Sequence, residues 1–247
     1  MNRFFLPPEA IQAGQVIFPG EVSRQITRVL RLKPGDVVTV LDNLGSEYRV
    51  ELVSVAADGA RGMVQERSEA KGEPPLRLAL YLCLTQREKF EWILQKCTET
   101  GVAEFTPVIS SRSLVQDTTR AEKKLERWQR IVREAAEQSG RGRIPGINAT
   151  VPFAQALRQG VTAHQAALLG WEEEQHAGLG TILTEIGSLE QLALLIGPEG
   201  GLSQAEVQAA VDLGWRPFSL GRRIFRMETA AVVASARLIA AAEDPPG

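Results

Sequence analysis

The 247-residue sequence holds only two cysteines and two histidines. Cys83 stands in the apolar run Leu78 to Leu84 and Cys97 on the apolar side of a helical pattern, so both read as small core residues, not as disulfide or metal partners. His164 and His176 add no zinc-like spacing, and no metal is expected. Long apolar runs are missing too: none approaches the ~20 residues that a membrane span requires. The stretch Met1 to Pro8 lacks the apolar segment and small-residue cleavage site of a secretory signal. These absences point to a cytoplasmic protein that meets no membrane. Excess positive charge is also absent: the net charge is -2, which argues against a surface coated for nucleic acid.

What is present is a globular composition, 44% hydrophobic and 23% charged, and length enough for two small domains. The positive charge is local. Arg120, Lys123, Lys124, Arg127, Arg130, Arg133, Arg141 and Arg143 are accompanied only by Glu122, Glu126, Glu134 and Glu137.

The first 72 residues read as short strands, Gln15 to Phe18, Asp36 to Leu41, Ser46 to Val55 and Arg61 to Gln65. Tyr48, Val50 and Leu52 alternate with Arg49, Glu51 and Val53, the period of a half-buried strand. Pro34-Gly35-Asp36, Asp42 to Gly45 and Asp58-Gly59 supply the turns, and a small barrel is the expected product. One helix, from about Gly20 to Leu32, interrupts the strands. It places Arg24, Arg28 and Arg31 on one face and lets Ile26, Val29 and Leu30 turn inward. The arginine face is either solvated or an RNA contact.

A polar, proline-bearing stretch, Glu69 to Pro75, reads as a linker. Beyond it, strand-like runs (Leu76 to Leu84, Phe105 to Ile109, Ala166 to Leu169, Leu192 to Ile196, Phe218 to Leu220) alternate with helical segments (Lys89 to Thr100, Arg120 to Ser139, Ser203 to Leu213, Glu228 to Ala242). That alternation predicts an α/β domain, a parallel sheet with helices on both faces.

Ligands of open parallel sheets bind beyond the carboxyl ends of the strands. Two such ends are conspicuous. Leu194 to Ile196 runs into Gly197-Pro198-Glu199-Gly200-Gly201 and then a helix whose start is marked by the capping-box pair Ser203 and Glu206. The loop is neither a dinucleotide fingerprint nor a phosphate loop, and on residues alone it is a tight turn or a ligand loop. Phe218 to Leu220 runs into Gly221-Arg222-Arg223-Ile224-Phe225-Arg226-Met227-Glu228-Thr229-Ala230 and a long apolar helix. Glu228 suits a helix N-terminus, but apolar Ile224 and Phe225 between arginines do not suit a purely solvated loop.

Together these two segments resemble the SPOUT methyltransferases, specifically the ribosomal RNA small subunit methyltransferase E family. Arg28-Val29-Leu30-Arg31-Leu32 with Gly35-Asp36, Lys96 to Val102, and Arg127-Trp128 through Glu137 to Arg141 extend the resemblance over nearly the whole chain. The chain differs from the family pattern at Gln25, Thr100, Phe225 and Met227. The resemblance implies a PUA-like β-barrel RNA-binding domain over residues 1–72 and a SPOUT α/β domain with a trefoil knot over 73–247. It also implies a homodimer that uses S-adenosylmethionine to methylate N3 of a uridine in 16S ribosomal RNA, free or within the small ribosomal subunit. Knots are nearly absent from folds in general, so this one follows from the resemblance alone.

On that basis Leu169, Gly170, Ile196, Gly197, Pro198, Glu199, Gly200, Gly201, Leu220, Gly221, Arg223, Ile224, Phe225, Arg226, Thr229 and Ala230 are expected around the cofactor. The glycines would allow close backbone approach, and the apolar residues would form walls. Arg226 is the expected stabiliser of a uridine anion, with Glu199 or Glu228 as proton acceptor or loop-orienting carboxylate. Arg3, Arg24, Arg28, Arg31, Arg141 and Arg143 are expected on phosphates. A ribose 2'-O methyltransferase of the same superfamily, or an inactive RNA-binding assembly factor, stays open.

Overall fold

The alternating N-terminal segments pair into a six-stranded sheet. A computed structural model of the protein describes residues 2–56, 59–116, 122–186 and 189–244. Asp58 of the expected turn and Arg120 of the basic segment lie outside them. The chain forms two units, one of residues 1–73 with 136–144, the other of 74–135 with 145–247.

In the first unit the strands are β1 (Arg3–Phe5), β2 (Ile11–Gln12), β3 (Gln15–Phe18), β4 (Val37–Leu41), β5 (Ser46–Ala56) and β6 (Gly59–Glu69), in the order β1-β4-β5-β6-β3-β2. Among the described strands of this unit only β1 pairs parallel, Phe4 opposite Val40, and local periodicity misses both β1 and β2 because they are three and two residues long. Phe4, Val16, Phe18, Val38, Val40, Val50 and Leu52 fill one side, as the period of two requires. Each such side chain contributes roughly 1.5–3 kcal/mol by leaving water.

The helix between β3 and β4 is shorter than the sequence suggests. α1 (Gly20–Arg24) continues as a π-helical turn over Gln25–Val29, with Leu30 N–H donating to the Gln25 carbonyl at 2.9 Å. Thr27 Oγ1 donates to the carbonyl of Ser23 at 2.8 Å, a back-bond of the kind that bends helices. The wider turn changes the phase, so Ile26 is buried while Val29 is 72% exposed, contrary to the expected inward face. Arg31, with φ 54, has left the helix and does not share a face with Arg24 and Arg28.

In the second unit every strand pairing is parallel. The strands β7 (Arg77–Cys83), β8 (Glu104–Ile109), β9 (Gly146–Ile147), β10 (Val151–Pro152), β11 (Ala166–Gly170), β12 (Gln191–Ile196) and β13 (Arg216–Phe218) run in the order β10-β8-β7-β12-β11-β13, with β9 also on β8. The helices are α2 (Arg87–Glu99), α3 (Leu125–Ser139), α4 (Phe153–Ala163), α5 (Leu179–Ile186), α6 (Gln204–Asp212) and α7 (Met227–Glu243). α4, α5, β9 and β10 are additions to the elements expected from sequence. Leu78, Leu80, Leu82, Leu192 and Leu194 lie in the two central strands with both sheet faces covered, which explains their unbroken apolar runs. Cys83 and Cys97 are buried free thiols, their pKa pushed up to about 12 by burial. Ser235 Oγ approaches Cys97 Sγ at 4.0 Å, joining α7 to α2. Gly160 lets α4 meet the Trp215 ring, whose Nε1 donates to the Leu157 carbonyl at 2.9 Å. No described helix is long and apolar enough to cross a membrane.

Candidate active site

Three strand ends meet on one cleft. β11 lies between β12 and β13, with Gly170 level with both Ile196 and Phe218, so the segments after all three strands open on the same side. The segment after β11 is tied to the one after β13 by backbone bonds: Trp171 N–H to the Phe218 carbonyl at 3.0 Å, Ser219 N–H to Ala177 at 2.8 Å, and Leu179 N–H to Ser219 at 3.1 Å. The loop after β12 closes on itself, Gly201 N–H to the Pro198 carbonyl at 2.9 Å, with Gly201 at φ 68. Ser203 and Glu206 then form the full capping box that starts α6, the arrangement their spacing predicts. The resulting cleft has a volume of about 770 Å³, within the range of small-molecule sites.

Of the residues expected around a cofactor, Gly170, Ile196, Gly197, Pro198, Glu199, Gly201, Leu220, Gly221, Arg223, Ile224, Phe225, Arg226 and Ala230 line this cleft, as does Glu228. Three do not. Leu169 is fully buried within β11, its strand paired on both sides. Thr229 sits half-buried on α7 away from the lining. Gly200 faces elsewhere: a Cβ there would meet the Arg112 side chain at 3.4 Å. The β13 strand ends at Phe218, so Leu220 belongs to the loop and not to the strand. Sequence reasoning missed Trp171, Glu172, Glu174, Gln175, Arg222 and Lys89. Trp171 to Gln175 carry no motif that singles them out; their position just after a buried strand was the available signal.

The charges divide into engaged and unengaged groups. Glu199 accepts hydrogen bonds from Thr85 Oγ1 and from Lys89 Nζ, the latter at 3.1 Å. Burial would raise its pKa, but the bonds from Thr85, its own backbone N–H and Lys89, together with the Lys89 charge, outweigh this and hold it below the usual carboxylate value. Arg112 Nη1 donates to the Gly200 carbonyl at 3.0 Å, and Ser111 N–H and Oγ donate to Glu206 at 2.8 and 2.9 Å, so the loop after β12 is held from outside as well. Glu174 is occupied by the backbone N–H groups of His176 and Ala177 at 2.7 and 3.1 Å. By contrast, Glu228 has a buried Oε2 without a hydrogen-bond partner among the described residues. Arg222, Arg223 and Arg226 have no carboxylate partner among the described residues, and Ile224, 84% exposed, stands between them. Among the described residues no cluster could hold a metal ion.

The residues expected on phosphates fare unequally. Arg24, Arg28, Arg31 and Arg143 are exposed. Arg141 is not: it is 2% exposed and paired with Glu73, Nε to Oε1 at 3.2 Å and Nη2 to Oε2 at 2.9 Å. Its guanidinium is part of the fold, and the expectation of a phosphate grip is corrected. Arg3 is half-buried and donates to Glu47 at 3.3 Å and to the Gly140 carbonyl at 3.5 Å, so its charge is also largely spent. Arg127 of the basic segment is engaged too, with Glu91 at 2.6 and 2.8 Å.

A parallel sheet with a glycine-rich cleft at its carboxyl edge and a mixed-sheet companion unit is the architecture of RNA methyltransferases with a PUA-type domain. The family model described as RNA methyltransferase domain matches residues 72–239, and the one described as RNA methyltransferase PUA domain matches 18–61. The chain belongs to the ribosomal RNA small subunit methyltransferase E family. It is 36% identical to the member from Synechocystis over 98% of this chain and 78% of that protein, and 33% identical to the member from Bacillus subtilis over 95% and 94%. Among solved structures, that of a ribosomal RNA small subunit methyltransferase E from Neisseria gonorrhoeae bound to S-adenosyl methionine superposes with a TM-score of 0.86 at 31% identity, covering 96% of each chain. A Legionella pneumophila protein described as a putative methyltransferase in complex with the bound cofactor gives 0.87 at 29% identity, covering 98% of each.

Proposed function

We propose that this chain transfers the methyl group of S-adenosylmethionine to N3 of a specific uridine in 16S ribosomal RNA. The observation that carries the reading is the cleft itself, where glycine-bearing loops, apolar walls and Arg226, which has no carboxylate partner among the described residues, converge at the carboxyl ends of β11, β12 and β13. Its residues fit the cofactor: Gly221, with open space where a side chain would stand, leaves backbone accessible, Ile196, Leu220 and Phe225 offer apolar surface, and charges of both signs are present for a zwitterion. When bound, the cofactor supplies an electrophilic methyl group. Everything else is asked of the chain.

Uridine N3 is a weak acid that must lose its proton before it can attack. Arg226, placed at the N-cap of α7 with no side-chain partner among the described residues, stabilises the anion through O2 or O4. Glu228, two residues further on with no hydrogen-bond partner for Oε2 among the described residues, is the better placed proton acceptor, because Glu199 is already engaged by Thr85 and Lys89. Arg24 and Arg28, with Arg31 and Arg143, hold the RNA backbone. In this reading residues 1–72 are the PUA-like barrel and 73–247 the SPOUT domain, whose three adjacent parallel strands and converging loops are compatible with the knot. The chain works in the cytoplasm as a homodimer, a state supported by Val232, Val233 and Ala236 of α7 remaining only half-buried.

Digestion and mass analysis of 16S ribosomal RNA from cells with and without the protein tests the proposal. Loss of 3-methyluridine, restored by the returned gene, is expected. Loss of a ribose-methylated nucleoside, or no change, would refute it.

A further inference from the structure

The cleft contains a carboxylate that neither the fold nor the chemistry above uses. Glu172, two residues past the end of β11, lines the cleft and is exposed. It makes no hydrogen bond or ion pair among the described residues. Its position is nevertheless defined: Oε1 lies where a Cβ on Gly201 would fall, so this carboxylate rests directly on the backbone of the loop after β12. The other cleft carboxylates differ. Glu174 is taken by two backbone N–H groups, Glu199 by Thr85 and Lys89, and Glu228, whose Oε2 is buried with no hydrogen-bond partner among the described residues, has its part in the reading above as proton acceptor, while the cleft arginines are not within ion-pair distance of any described carboxylate.

An unpaired carboxylate lining a cleft is free to attract a cationic group of a ligand, an attraction that water and salt weaken without abolishing it. We infer that Glu172 is a specificity-determining residue, whose charge selects the sulfonium form of the cofactor over its neutral thioether product. The inference rests on the cofactor reading given above and adds to it the means by which product is released: transfer of the methyl group removes the positive charge on sulfur, and with it the attraction to Glu172. Cofactor and product share adenine, ribose, ammonium and carboxylate. A contact to any of those groups would therefore affect both ligands alike, whereas a charge contact with sulfur affects one.

The experiment is calorimetric titration of the full chain and of Glu172→Gln with S-adenosylmethionine and with S-adenosylhomocysteine, at low and at physiological salt. Glu172→Gln keeps size and shape at an exposed position, and its fold is checked by its thermal transition. The expected result is a loss of about fivefold in affinity for the methylated cofactor, the scale of one solvent-exposed charge contact, with the product's affinity unchanged within error. The loss should shrink as salt rises. Equal losses for both ligands, or none for either, would overturn the inference while leaving the cofactor reading standing. A wild-type chain that binds neither ligand would overturn both.

Discussion

Arg141 and Glu73 form a two-point ion pair in which the guanidinium is almost wholly buried and the carboxylate also accepts the backbone N–H groups of Gly142 and Arg143, each at 3.0 Å. Removing one partner leaves the other's charge uncompensated. Arg141→Ala should therefore lower stability by roughly 2–4 kcal/mol, measured by urea denaturation, whereas Arg143→Ala should change it little because that side chain is exposed. Comparable stability of the two variants would return Arg141 to the surface role that its neighbours in sequence suggest.

Gly200 and Gly201 are adjacent but unequal. Gly201 holds φ 68 and has Glu172 where a side chain would go, while Gly200 has ordinary backbone and open contact with Arg112. Gly201→Ala should reduce cofactor affinity by tenfold or more, from about 1–2 kcal/mol of left-handed backbone strain plus the displaced carboxylate. Gly200→Ala should bind within about twofold of wild type. Titration calorimetry on both decides, and equal losses would mean that Gly200 faces the ligand after all.

This contrast marks how far the sequence was legible. The strand, loop and capping box from Leu194 to Glu206 were readable because each signal is local: an apolar run, a glycine cluster, a Ser and Glu three apart. The parallel sheet followed from alternation. What was not readable depended on partners distant in sequence, as with Arg141, which looks like any basic residue until Glu73 is placed beside it. β1 needed Val40, and the early end of the Gly20 helix needed the backbone competition from Thr27. Glu172 was hidden in a run of acidic residues that, without the sheet, reads as solvated loop.

Glu199 predicts a pH dependence. Its folded pKa lies below the unfolded value of about 4.5, so ionisation favours the folded state: its contribution is complete above the unfolded pKa and is lost as pH falls through the folded one. The stability difference between wild type and Glu199→Gln should be constant from pH 8 down to about 6, at ~1 kcal/mol, and should vanish below the folded pKa. Denaturation midpoints against pH test this. A difference that grew on acidification would show that Glu199 is protonated in the fold.

Charge reversal at Arg24 and at Arg28 should weaken RNA binding and flatten its salt dependence by about one unit of log-log slope per lost phosphate contact, leaving cofactor affinity alone. Filter binding over a salt series supplies both readings. An unchanged slope would make this helix face a solvated one.

The central claim is that the cleft methylates N3 of uridine with Arg226 acting on the base. Its most direct test is a single-turnover reaction of the purified chain with small-subunit RNA and cofactor carrying a labelled methyl group, followed by identification of the labelled nucleoside. The label should appear in 3-methyluridine. With Arg226→Ala it should appear about 10² more slowly while cofactor affinity stays within a few-fold, and the deficit should narrow as pH rises and N3 ionises without help. Label in a ribose methyl group, no transfer at all, or a loss of cofactor binding that parallels the loss of rate would contradict the account.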